Sequence, residues 1–102
     1  MNITATLKNI NKITGIGTIY IYVDIYAKSY RNRIFYQTSH KVEANKFLNG
    51  RLIGRTEFVK TMNNRIQSEI ETIKDVILQL EYEGKEINKS TLIEARNAKN
   101  EG

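Results

Sequence analysis

Residues 18–27 constrain this chain more than any others. Ile19, Ile21, Val23 and Ile25 alternate there with Tyr20, Tyr22, Asp24 and Tyr26. A repeat of two is the period of a β-strand, whose successive side chains point to opposite faces. β-Branched and aromatic residues are also those that favour a pleated, half-buried surface. One face of this strand is wholly aliphatic and has to be covered by another apolar layer. The other carries tyrosines and one acid, and suits water or a ligand.

Two further strands are expected beside it. Ile3-Thr4-Ala5-Thr6-Leu7-Lys8 alternates apolar and polar residues, and residues 9–17, with Asn, Lys, Thr and two glycines, form a loop. After a polar turn, Lys28-Ser29-Tyr30-Arg31-Asn32, a third strand covers Arg33 to Thr38. It puts Ile34 and Tyr36 on one face and Arg33, Phe35 and Gln37 on the other, and the short turn makes strands two and three a hairpin. Residues 40–54 are read as irregular, anchored by Val42, Phe47, Leu48, Leu52 and Ile53, with Asn49-Gly50 as a turn.

The period then changes. Between Thr56 and Tyr82, Phe58, Met62, Ile66, Ile70, Ile73, Ile77 and Leu80 recur at steps of three and four, the stripe of a long amphipathic helix. Gly84 is a helix stop. Residues 87–98 suggest a short second helix, with Asn88 or Ser90 as its N-cap and Leu92, Ile93 and Ala95 as its apolar side.

Strands followed by helices define an α+β fold: a three-stranded antiparallel sheet packed on one long helix, plus a short C-terminal helix. A helix of that length spans about 40 Å and strands of six to ten residues roughly 20–33 Å. The helix is therefore expected to overhang the sheet, with the short helix filling the overhang. A chain of 102 residues suits one domain, taken as residues 1–98, with 99–102 as a frayed tail.

Charge is distributed unevenly. Residues 1–55 hold nine Lys/Arg against two Asp/Glu, +7, whereas residues 56–102 hold seven against nine, −2. The basic half is the strand half, which favours a polyanionic partner there. Enzyme classes lack their residues. There is no cysteine, and His40 is the only histidine, so a metal site or a nucleophile–base pair has no second member. Gly15-Ile16-Gly17 has neither the third glycine nor the following helix of a phosphate loop. Glu69, Glu71, Asp75, Glu81 and Glu83 fall mostly off the apolar stripe and read as a solvated face. No signal peptide or membrane span is read, so a cytoplasmic protein without cofactor or metal is expected.

The open sheet face is the best binding candidate. It comprises Tyr20, Tyr22, Phe35, Gln37 and Arg33, with Lys8 at the end of strand one and Lys12, Lys28 and Arg31 around the rim. Arg and Lys neutralise phosphates or reach guanine edges, Tyr and Gln hydrogen-bond phosphates or bases, and a sheet can enter the major groove much as a helix does.

The order of elements resembles the N-terminal arm DNA-binding domain of tyrosine integrases from Bacteroides-type phages and conjugative transposons. The resemblance covers residues 3–97. It rests on Leu7-Lys8-Asn9-Ile10-Asn11-Lys12, on Gly17-Thr18-Ile19-Tyr20-Ile21-Tyr22-Val23, on Gln37-Thr38-Ser39-His40-Lys41-Val42 followed by Phe47, on Asn63 or Asn64 early in the long helix, and on Gly84-Lys85 before a helix opening near Thr91. Three residues depart from the pattern: Tyr22 stands where the family often has Arg, Ser39 where it has Gly, and Phe47 where it has Trp. The resemblance implies a sheet inserted in the major groove of double-stranded DNA at arm-type sites. It implies no catalysis by this domain and a parent integrase supplying core-binding and catalytic domains for DNA integration and recombination; the isolated domain is expected to be a monomer. A second reading is a protein-interaction or dimerisation module, in which the Phe58–Leu80 stripe forms a coiled coil with another chain.

Overall fold

A computed structural model describes residues 1–27 and 30–101, and their side chains over 1–25 and 32–98. The alternating segments form one antiparallel sheet, β1 (Asn2–Lys8), β2 (Ile16–Ala27) and β3 (Tyr30–Glu43), with β2 in the centre. A single 3-10 turn at Ala44–Lys46 leads into a two-residue ribbon, β4 (Phe47–Leu48) and β5 (Arg51–Leu52). Helix α1 (Glu57–Tyr82) and helix α2 (Lys89–Glu101) complete the fold, which is the expected α+β arrangement.

The central strand supplies the core as its alternation requires: Ile19, Ile21 and Val23 are fully buried and Ile25 nearly so. Antiparallel register sets Ala5 against Ile21 and Ile21 against Tyr36, so the three strands present one continuous apolar face. From α1, Met62, Ile66, Ile73, Val76, Ile77 and Leu80 pack into the same cluster; from α2 comes Leu92. Each fully buried Ile or Leu contributes about 1.5–3 kcal/mol of burial free energy. The two helices share the cover. α1 lies over β1 and β5, and α2 lies beside α1 over β3.

The ends of the helices are built from local chemistry. The Thr56 hydroxyl accepts from the Val59 N–H at 3.2 Å and caps α1. At the other end the Lys85 N–H donates to Leu80 O and the Gly84 N–H to Glu81 O, a Schellman closure with Gly84 at φ +71°. Asn88 and Thr91 then cap α2 reciprocally: the Asn88 N–H donates to Thr91 Oγ1 and the Thr91 N–H to Asn88 Oδ1, each at 2.9 Å. Of the two asparagines early in α1, Asn63 is the structural one. Its Oδ1 accepts from the Leu52 N–H at 2.8 Å and its Nδ2 donates to Leu52 O at 3.1 Å, fastening β5 to the helix. The Asn49-Gly50 turn has both residues at positive φ, 52° and 84°, as the tightest hairpin turns require. Its tip rests on the backbone of β1, for a Cβ at Gly50 would lie 3.4 Å from Ala5 O.

Several expectations are corrected. β3 does not end at Thr38 but runs to Glu43. The pairing slips between Thr18 and Tyr20, which face Lys41 and Gln37, and the Thr38 hydroxyl bridges the irregularity by donating to Ile19 O at 2.6 Å. β2 and β3, with 12 and 14 residues, are longer than the six to ten expected, and α2 packs against both α1 and β3. Phe58 is 64% exposed while its neighbour Val59 packs against the core, and Val76 joins the buried stripe. Ile93 is also exposed, since α2 turns the Leu92–Ala95 side inward. Finally, Glu69 is not on a solvated face. Arg96 of α2 donates to both its carboxylate oxygens at 2.8 Å, and the paired side chains are only 13% and 20% exposed.

Candidate nucleic-acid interface

With one sheet face closed by the helices, the other stays open, and the register arranges it in rows. Thr4, Tyr22 and Phe35 lie side by side across the three strands, as do Thr6, Tyr20 and Gln37. The rings of Tyr22 and Phe35 are 4.8 Å apart at 40°, the tilted contact that aromatic quadrupoles favour. Lys8 reaches over Phe35 and Tyr20 from the end of β1. Its ammonium lies 3.8 Å from the Phe35 ring centroid and 5.1 Å from that of Tyr20. Cation–π attraction of this kind contributes about 0.5–1 kcal/mol near a surface and holds the charge in place. The Tyr20 hydroxyl accepts from Asn9 Nδ2 at 3.0 Å, which fixes the tip of that ring.

Arg33 and Gln37 are exposed on β3, and Phe35, Tyr20, Tyr22 and Lys8 are half-buried. Lys12 is exposed in the β1–β2 connection and does not join the lysine–aromatic cluster. Lys28 lies outside the described residues. Arg31 pairs with Tyr26 through the backbone, but its side chain lies outside the described residues too. Asp24 is not solvent-exposed as its strand position suggested: it is 6% exposed, in register between Asn2 and Arg33.

Two cations beyond the sequence-derived set belong with this surface. Lys41 is exposed and in register with Thr18, which pairs on its other side with Lys8. Lys89, the first residue of α2, lines an open cleft of about 450 Å³ together with Lys8, Tyr20, Arg33 and Phe35. The Asn32 Nδ2 donates to Ile87 O at 2.7 Å, and this bond ties the start of α2 to β3. No carboxylate lines the cleft among the described residues. Lys41 lay hidden in a polar stretch without apolar alternation. Lys89 reaches the cleft only through the docking of α2 against β3, which no local pattern signals.

Displaced titrations lie elsewhere. Burial pushes the Tyr36 phenol up, helped by the nearby Glu69 carboxylate and opposed by Arg96. Hydrogen bonding to Glu69 raises Arg96. His40 is half-buried within β3. Among the described residues no three His, Asp or Glu side chains are grouped to hold a metal ion, and no helix is long and apolar enough to cross a membrane. No family model, curated protein or solved structure matches the chain.

Proposed function

We propose that this chain binds double-stranded DNA through the open face of β1–β2–β3, at arm-type sites, as the non-catalytic N-terminal module of a tyrosine integrase. The observation that carries the reading is the division of labour in the sheet. Ile19, Ile21, Val23 and Ile25 of β2 are buried, while Lys8, Arg33, Gln37 and an ordered aromatic row occupy the opposite side. Three strands spaced about 4.8 Å apart span roughly 10 Å between their outer axes, which fits a major groove about 12 Å wide. Arg33 is exposed near the start of β3 and is assigned to a base edge; Lys8 and the rim lysines are assigned to phosphates. The integrase attribution rests on the resemblance in element order and motifs described above. The dimerisation reading needs the α1 stripe free, and from Met62 to Leu80 that stripe packs into the chain's own core.

The test starts from a library of random-sequence duplexes, from which the wild-type protein selects its site. Affinity for that duplex is then measured by fluorescence anisotropy for wild type, Arg33→Ala and Glu71→Ala. Arg33→Ala should lose about 1–3 kcal/mol and relax sequence choice. Glu71, exposed on the outer side of α1, should be neutral to site preference. Equal affinities for the two variants would overturn the sheet-face reading, and strand cleavage by the pure protein would overturn its non-catalytic part.

A further inference from the structure

We infer that Lys89, at the start of α2, is a backbone-phosphate contact, and that Asn32 is the residue that positions it. The inference rests on the DNA-binding reading of the sheet and adds to it a second, sequence-independent grip. The cleft beside β3 gathers cations from three elements far apart in sequence: Lys8 of β1, Arg33 of β3 and Lys89 of α2. None of the three is ion-paired to a described residue. Charges of one sign brought together repel one another, and the Asp24 carboxylate in register with Arg33 does not line the cleft, so an anion seated there would relieve the repulsion. Phe35 and Tyr20 form its aromatic wall, and the Lys8 ammonium is already held over both rings.

The placement of Lys89 separates its role from that of Arg33. Arg33 belongs to the sheet and enters the groove with it. Lys89 belongs to the helical layer behind β3, so it meets the sugar–phosphate strand that borders the groove. A lysine there is a point charge on a flexible stem, suited to a phosphate and not to reading a base pattern. Its position is set by the 2.7 Å hydrogen bond from Asn32 Nδ2 to Ile87 O, two residues before Lys89. The adjacent Asn88–Thr91 cap then fixes where the helix begins.

The test follows anisotropy over a salt series, on the selected duplex and on a scrambled duplex of equal length. Lys89→Ala should lower the log–log salt slope by about one on both duplexes and leave the preference between them unchanged. Lys89→Arg should restore the slope. Lys74→Ala, which removes a charge from the exposed side of α1, should keep the wild-type slope. Asn32→Ala, checked for folding by circular dichroism, should move the slope toward that of Lys89→Ala, and the double variant should lose no more than Lys89→Ala alone. A wild-type slope for Lys89→Ala, in a protein that still prefers its selected duplex, overturns this inference and leaves the sheet-face reading standing. A wild-type protein that binds neither duplex overturns both.

Discussion

Tyr36 shows how one residue couples the sheet to both helices. It stands on the core side of β3, half-buried, near the Glu69–Arg96 pair that joins α1 to α2. Burial, and secondarily the Glu69 carboxylate, hold its phenol above the ordinary value of about 10, while Arg96 pulls it down. The unfolded phenol therefore ionises first. The contribution is whole below the unfolded pKa and is lost as the pH rises through the higher folded value. Urea denaturation of wild type and Tyr36→Phe across alkaline pH checks this: the stability of the wild type should fall relative to the variant above about pH 10. A constant difference would contradict it. The ion pair itself was not legible in the sequence, because Glu69 and Arg96 are 27 residues apart and each fits a solvated helix surface when viewed locally.

At the scale of elements, the periodic segments were readable and their junctions were not. The alternation in 18–27 and the three-four steps of α1 arise from local geometry, so a single sequence carries them. The far half of β3 has no such signal. Residues 37–41 are all polar, and the pairing slip that Thr38 bridges interrupts what alternation there is. The candidate site divides in the same way. Arg33, Phe35 and Gln37 follow from strand parity, whereas Lys41 depends on the extension of β3 and Lys89 on the docking of α2. Junctions are also where single substitutions discriminate. Asn63 satisfies both backbone groups of Leu52, a residue only 5% exposed. Asn63→Ala should cost about 1–3 kcal/mol by leaving them unpaired. Asn64→Ala, on an exposed neighbour, should be neutral or gain a few tenths of a kcal/mol from helix propensity. Chemical denaturation of the two variants measures the contrast, and equal effects would show that the clamp carries no stability.

The whole molecule is a slab, 42 × 30 × 19 Å, with one face of its sheet under the helices. Because the α1 stripe is consumed by its own sheet, sedimentation velocity should give one species near 11.8 kDa at every concentration tried. A concentration-dependent dimer would mean that another surface drives association. The fold also answers a hazard common to small sheets. An unpaired strand side offers its N–H and C=O groups to any passing chain, and a flat three-stranded sheet has two such sides. On the β1 side, the Asn49-Gly50 tip rests on Ala5. On the β3 side, the start of α2 is bonded to Asn32. Each outer strand thus carries a contact from the protein's own chain, at Ala5 and at Asn32, which shortens the length of edge open to a second copy. The half-buried aromatic row therefore lies between two outer strands that are each tied to another part of the same chain.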